Sequence, residues 1–200
     1  MPTFLHVGCG ASRKPKTTRA FNTPAWQEVR FDIDPDVEPD IIGTMTDMAA
    51  VPTASMDAIF SSHNIEHLYP FEVPLALREF HRVLKPDGFM VLTCPDLQSV
   101  AALVAEGKLL DTAYESAAGP ISAMDMIYGF RPDLARGKLY MAHRCGFTQD
   151  VLTSLLTAFG FGARVRRRAE CFDLWAVAAV MPTTPERLAA LAAEHFPSGA

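Results

Sequence analysis

One stretch near the N-terminus constrains the fold more than any other: Thr3-Phe4-Leu5-His6-Val7-Gly8-Cys9-Gly10. Phe4, Leu5 and Val7 give it the aromatic and branched character of a short buried strand, and the glycines end that strand. Where a strand of an open α/β sheet gives way to a glycine-rich turn, the missing Cβ atoms let backbone N–H groups approach a ligand closely. The turn is then a cradle. A Gly-x-Gly alone also describes an ordinary strand-ending turn, so support has to come from downstream.

Glu28-Val29-Arg30-Phe31-Asp32-Ile33-Asp34 supplies it, a second short strand ending in carboxylates. Asp32 falls 22 positions after Gly10, about where a nucleotide-binding βαβ unit carries its ribose-binding acid. A carboxylate there accepts both ribose hydroxyls as a bidentate pair, which makes Asp32 the expected ribose ligand. The third glycine of the dinucleotide fingerprint is absent, because the template places it at Arg13. The run after Gly10, Ala11-Ser12-Arg13-Lys14-Pro15-Lys16, is basic and broken by proline. A pyrophosphate-binding helix is therefore not expected, which argues against a nicotinamide or flavin cofactor. A nucleoside without phosphates remains.

With 200 residues and 49% hydrophobic content, the chain can bury one good core and is too short for two comfortable ones. A single domain, residues 1–200, is expected. The net charge of −5 and a pI near 5.6 give no global attraction to nucleic acid or to an anionic membrane. Two basic runs, Arg13/Lys14/Lys16/Arg19 and Arg164/Arg166/Arg167/Arg168, read as solvated faces. Cys9, Cys94, Cys145 and Cys171 lack C-x-x-C spacing, so neither a zinc ribbon nor a disulfide framework is suggested. No signal-peptide pattern and no apolar run of roughly 18 residues is present, and a soluble protein of the reducing cytoplasm is expected.

Further along, Asp40-Ile41-Ile42-Gly43 is a third strand candidate, followed by a polar turn, Thr44 to Asp47, with Asp47-Met48 at the edge of the cradle. Met56 to Ser62 alternates into a fourth strand, Pro74 to Leu84 carries a helical apolar face, and Lys85-Pro86-Asp87-Gly88 turns into a fifth strand, Phe89 to Cys94. Alternating strand and helix patterns predict a mostly parallel sheet with helices on both faces, whose ligands bind at the carboxyl ends of the strands. Gly8 to Gly10, Asp32, Asp47 and Ser61 to His63 all fall at such ends. Leu97 to Leu110 reads as helix, and regularity then lapses from Asp111 to Tyr140. A connection that long suggests a lid or substrate insert, spanning residues 111–142, with Met124, Met126, Ile127, Tyr128 and Phe130 to bury. Thr148 can N-cap a helix from Gln149 to Phe159. Arg164 to Glu170 and Asp173 to Val180 read as a closing hairpin, and Pro185 to Phe196 as a short Ala-rich helix.

These pieces together resemble the class I S-adenosylmethionine-dependent methyltransferases, specifically the small proteins of the type 11 kind. The matching residues are Leu5 to Gly10, Phe31-Asp32-Ile33-Asp34-Pro35, Met56-Asp57-Ala58-Ile59 leading to Ser62-His63-Asn64-Ile65-Glu66-His67-Leu68, Arg82 to Gly88, and His143 with Gly146-Phe147-Thr148 and Phe159-Gly160-Phe161. The resemblance implies an α/β, Rossmann-like, doubly wound and mostly parallel seven-stranded sheet with an antiparallel last strand. It places the methionine part of S-adenosylmethionine against Gly8, Cys9 and Gly10. The ribose would sit on Asp32 with Ile33 beside it, the adenine beside Asp47 and Met48, and the sulfonium near Ser61, Ser62 and His63. Two departures matter. His6 stands near where the family often has an acid, and the chain begins directly at its first strand, so the cofactor's cover would come from the insert or from another subunit. The acceptor is expected to be a small molecule, with His143 and His63 as candidate bases. Oligomeric state is left open.

Rival readings exist. His63-Asn64-Ile65-Glu66-His67 fits the inverted zinc-protease motif H-x-x-E-H, but that motif needs a helix, and Tyr69-Pro70 breaks any helix here. No metal site is therefore expected. Asp32, Asp34 and Asp36 imitate a calcium loop, yet Val37 and Gly43 occupy its glycine and glutamate positions. A nicotinamide-dependent dehydrogenase and a non-catalytic cofactor-binding partner protein are the remaining alternatives. His6 can equally be a hydrogen-bonded core residue, His67 a buttress of its turn, and Cys9 a small space-filler.

Overall fold

The computed structural model describes residues 1–197. Its strands are β1 (Thr3–Val7), β2 (Gln27–Asp32), β3 (Ile41–Ile42), β4 (Met56–Ser62), β5 (Leu84–Pro95), β6 (Thr112–Ser116), β7 (Gly119–Ser122), β8 (Phe161–Arg168) and β9 (Asp173–Val180). Seven of them form one sheet in the order β3-β2-β1-β4-β5-β9-β8, and β6 and β7 pair separately. The first five run parallel to one another, whereas β9, last in the chain, lies between β5 and β8 and runs antiparallel to both. This is the doubly wound sheet expected from the alternating pattern. Reversal after β2, with β1 joined to β4 on its far side, opens a crevice at the carboxyl ends of β1 and β4.

The helices are α1 (Val73–Val83), α2 (Leu97–Ala105), α3 (Ala123–Tyr128), α4 (Arg131–Ala135), α5 (Gln149–Ala158) and α6 (Pro185–His195). Alternation of side chains along each strand gives the sheet two apolar faces. Leu5, Val7, Ile59, Met90 and Leu92 pack with α1 and α5 through Leu77, Phe80, Leu152 and Leu156. Phe4, Phe60, Phe89, Val91 and Val177 pack on the other face with α6 and with Phe21. Phe21 belongs to the connection from β1 to β2, which holds only a 3-10 turn at Lys14–Lys16 and no α-helix. It stacks on Phe4 with ring centroids 4.4 Å apart and meets Trp26 edge-on at 5.0 Å, so aromatic packing covers the sheet where a helix would otherwise lie.

Three expectations change. The turn Lys85 to Gly88 does not separate two elements: Met56 pairs with Leu84 and Ala58 with Phe89, and the turn is a bulge inside β5. The helix from Leu97 stops at Ala105, because Gly107 takes a φ of +78°. The insert is regular rather than lapsed, comprising the hairpin β6/β7, two short helices and a 3-10 turn at Leu139–Met141. Ile121, Ala123 and Met126 pack on Val100 of α2 as a small core of their own, joined by Tyr114, Phe130 and Phe172.

Candidate functional site

The loop after β1 is fixed by its backbone. Gly8 and Gly10 have φ values of +63° and +49°, a region that suits glycine. The N–H groups of Gly8 and Cys9 donate to the Phe31 carbonyl at 2.8 and 3.3 Å, which ties the loop to β2. Asp32 continues that tie: its carboxylate accepts the N–H of Gly10 at 2.7 Å and that of Asp34 at 2.9 Å. Each oxygen keeps a lone pair for a further donor. Arg30, 2% exposed, donates to the carbonyls of Gly10, Ser12, Val37 and Glu38 and so braces the loops after β1 and β2 together. Just beyond β4, the Asn64 amide donates to the carbonyls of Val7 and Ser62 at 3.0 and 2.9 Å. It lies where a Cβ on Gly8 would go, whereas a Cβ on Gly10 would meet nothing within 4 Å and would enter open space.

That space is a cleft of about 590 Å³, bounded by residues 7–12, Phe31 to Asp34, Gly43 to Met45 and Ser62 to Asn64. Its size and mixed lining suit a nucleoside-sized ligand. The insert reaches over it with Asp133, Lys138, Tyr140 and Met141. Tyr140 donates its hydroxyl to Asp34 at 2.6 Å, and the Lys138 ammonium stands 3.7 Å from the same carboxylate. Both contacts hold the Asp34 carboxyl below its ordinary range, the tyrosine hydrogen bond most of all.

Of the residues expected to bind a cofactor, Gly8, Cys9, Gly10, Asp32, Ile33 and Ser62 line this cleft. Ser61 does not, being 1% exposed and engaged by the Asn64 amide. Met48 is fully buried, with its N–H donated to Glu79, and Asp47 turns back to its own loop, accepting the N–H of Ala49. Gly43, Thr44 and Met45 take the wall expected from that pair. His6 is also away from the cleft, 3% exposed and 2.7 Å from Glu28 through Nδ1. Burial pushes the Cys9 thiol up to about 11, so it stays protonated and fills space.

Next to the cleft lie two chambers of about 240 and 160 Å³, both bordered by Pro95, Met126 and His143. His63 and His67 border the cleft and the smaller chamber alike. His63 follows β4 directly with a φ of +54°, a strained conformation for a side-chain-bearing residue. Its Nδ1 is 3.4 Å from Glu66 and its Nε2 3.8 Å from Asp173. Desolvation works against its charge, but Asp173 and Glu66 outweigh that and raise its pKa to about 9. His143 goes the other way: burial lowers it despite the attraction of Glu66. Burial opposes ionisation of Glu66 too, and His63, followed by His67 and His143, more than offsets this and lowers its pKa.

Arg30, Asn64, Glu66, His67, Lys138 and Tyr140 were not expected at the site. Their signals were faint. A Ser122-x-x-Asp125 capping box could have revealed α3, and it is present, with Arg131 bound to Asp125 at 2.8 Å. No local pattern marks Tyr140, whose partner Asp34 is 106 residues away.

This architecture, a glycine-turn cleft on a seven-stranded sheet with an antiparallel last strand, is that of the class I methyltransferases. Residues 5–92 match the family model described as "Methyltransferase domain", of type 11, and the sheet has the class I methyltransferase fold. Solved structures agree on the fold. An S-adenosylmethionine-dependent methyltransferase from Archaeoglobus fulgidus superposes with a TM-score of 0.59 at 13% identity, over 89% of this chain and 86% of that one. The 1,6-didemethyltoxoflavin-N1-methyltransferase of Burkholderia thailandensis, solved with 1,6-didemethyltoxoflavin and S-adenosylhomocysteine, gives 0.55 at 15% identity over 90% and 71%. A putative methyltransferase of Haloferax volcanii, solved with the Trm112 activator, gives 0.56 at 11% identity over 90% and 82%. No match was found among curated proteins. Domain match and fold together support S-adenosylmethionine as the cofactor. No helix among the described residues is long and apolar enough to cross a membrane.

Proposed function

We propose that the protein is a cytoplasmic methyltransferase that transfers the methyl group of S-adenosylmethionine to a small-molecule acceptor. One observation carries this reading: the nucleoside-sized cleft and the smaller chamber beside it share His63 and His67 as walls, so a donor and an acceptor can meet there. When bound, the cofactor supplies an already activated methyl group. The chain's task is then to hold two reactants in line and keep water out, which can supply most of the acceleration. Gly8 to Gly10 leave room for the methionine part, Asp32 offers its remaining lone pairs to the ribose hydroxyls, and Tyr140 with Met141 covers the cleft. Pro95, Met126 and Phe130 give the acceptor an apolar seat in the smaller chamber.

An acceptor that must lose a proton needs a base, and His143 is placed for it. Its Nδ1 faces the Met126 carbonyl at 2.8 Å, which can only accept, so the proton is on Nδ1 and the Nε2 lone pair is free. His63, held between two carboxylates, is better suited to stabilise charge than to remove a proton. The test is calorimetric titration with S-adenosylhomocysteine, then turnover against a panel of small nucleophiles. His143→Ala should lower turnover about a hundredfold and leave S-adenosylhomocysteine affinity within about twofold. Absence of binding by the parent protein overturns the assignment, and a mutant that loses affinity and fold together makes His143 structural.

A further inference from the structure

Among the described residues Glu66 is the one buried group with two side-chain oxygens lacking a hydrogen-bond partner. Its side chain is 1% exposed. Buried carboxylates are ordinarily hydrogen-bonded, paired at close range, or bound to a cation. The backbone fixes Glu66 where it is, because the N–H groups of Arg144 and Cys145 both donate to its carbonyl, at 2.8 and 3.2 Å. That contact brings the exit of the insert against the turn after β4. Two imidazoles are oriented there by backbone carbonyls. His67 Nδ1 lies 3.2 Å from the Ala142 oxygen and His143 Nδ1 2.8 Å from the Met126 oxygen. A carbonyl only accepts, so both rings carry their proton on Nδ1 and keep a lone pair on Nε2. Support of the distal ring nitrogen by a backbone carbonyl is the arrangement that metal-binding histidines use.

We propose that Glu66, His67 and His143 bind one divalent transition-metal ion of the zinc type. One ligand atom from each lies within 4.8 Å of the others, and His143 Nε2 is 4.0 Å from Glu66 Oε1. Ligands of a tetrahedral ion at about 2.1 Å stand roughly 3.4 Å apart, so modest side-chain rotation brings these three onto one centre. Two imidazoles and a carboxylate suit Zn²⁺ or Co²⁺, while Mg²⁺ and Ca²⁺ prefer oxygen ligands alone. The sequence motif His63-x-x-Glu66-His67 thus contributes by a route other than the helix it resembles. A 3-10 turn, Ile65–His67, presents Glu66 and His67, and His143 arrives from the insert. His63, whose Nδ1 is 3.4 Å from Glu66, is not needed as a ligand and keeps Asp173, 3.8 Å from its Nε2, as its partner when Glu66 turns to the ion. Three protein ligands leave a position open for an oxygen of the acceptor, a clause that rests on the methyltransferase reading. A hydroxyl held there loses its proton more readily. The Nε2 lone pair of His143 cannot serve both ends, so an occupied site makes His143 a ligand and the ion the activator.

The experiment is titration of the metal-stripped full chain with Co²⁺, followed by visible ligand-field absorption and equilibrium dialysis, with Zn²⁺ as competitor and Mg²⁺ as control. S-adenosylhomocysteine affinity and thermal melting are measured on the same samples. One Co²⁺ per chain is expected, displaced by Zn²⁺ and unaffected by Mg²⁺. Glu66→Gln should weaken it at least about a hundredfold with S-adenosylhomocysteine binding retained. If Glu66→Gln does not fold, His67→Asn and His143→Asn must each give the same loss. Parent protein that takes up no more Co²⁺ than the double variant His67→Asn/His143→Asn overturns the site while leaving the cofactor cleft standing. Loss of S-adenosylhomocysteine binding with intact Co²⁺ uptake does the reverse.

Discussion

The glycine-turn cleft and the histidine chambers stand side by side at the same end of the sheet, yet they are built by opposite means. The cleft is made of backbone. Glycine conformations, N–H groups tied to Phe31 and Asp32, and carbonyls gathered by Arg30 define it, and most of its parts come from two neighbouring strands. The chambers are made of side chains drawn from far apart. His63 and Glu66 follow β4, Pro95 ends β5, Met126 sits on α3, and His143 follows the insert. A backbone-built site tolerates little change in its few special positions, whereas a side-chain-built site can be re-lined without unmaking the fold. The same sheet can therefore keep the cleft while the chambers beside it are re-lined.

Gly8→Val should separate the two regions most sharply. Its φ of +63° strains any branched residue, and a Cβ would overlap the Asn64 amide, which is held by Val7 and Ser62. A loss of about 3 kcal/mol or more in stability, with S-adenosylhomocysteine binding abolished, is expected in melting and calorimetry. Intact binding would show that the loop is more pliable than its hydrogen bonds imply.

Acid stability tests whether either region sets the pH response of the fold. Burial pushes His195 down to about 4 from an ordinary 6.5, since it sits against Phe21 and Phe89 with Thr18 at 2.8 Å as its hydrogen-bond partner. Below pH 6.5 the unfolded chain binds a proton that the folded chain refuses. Stability is then full above that pH and declines as the pH falls toward 4, by roughly 3 kcal/mol. His6, also lowered chiefly by burial, adds to the same slope. Chemical denaturation across this window should be steep for the parent and flatter for His195→Gln. Equal slopes would move the acid response to the chambers.

Asp32→Ala should weaken S-adenosylhomocysteine binding at least about tenfold, because hydrogen bonds to a charged group are worth roughly 1.5–3 kcal/mol. It also frees the N–H of Gly10, so its effect measures how far the backbone cleft depends on a single side chain. Unchanged affinity would assign the ribose to another group. The smallest effect is expected at the seam between the regions. Tyr140→Phe removes the hydroxyl bound to Asp34 and should loosen binding only two- to fivefold, about 0.5–1 kcal/mol. Amides of Leu139 to Met141 should exchange more slowly with S-adenosylhomocysteine bound, and identical exchange would make that turn a passive surface.

Residue order alone was enough for the sheet and for part of the lining of the cleft. Strand and helix periodicities are local properties, so β1, β4, α5 and β9 could be placed from pattern, and Thr148 does cap α5 through the N–H of Val151. Gly8, Gly10 and Asp32, read from residue type at the ends of adjacent strands, do line the cleft, and their role toward a ligand is part of the proposal. Asp47 and Met48 were misplaced because a loop's path after a two-residue strand depends on packing, here on Glu79 and Arg82 of α1. Everything else was settled by long-range packing. The insert's short elements carry too few turns for a period to show, and their order comes from contact with α2. Glu66 and His143 lie 77 residues apart in sequence, and no spacing could bring them within 4.0 Å. That meeting depends on how the chain returns across the end of the sheet, a long-range contact whose formation is a matter of the whole core and not of the residues that make it.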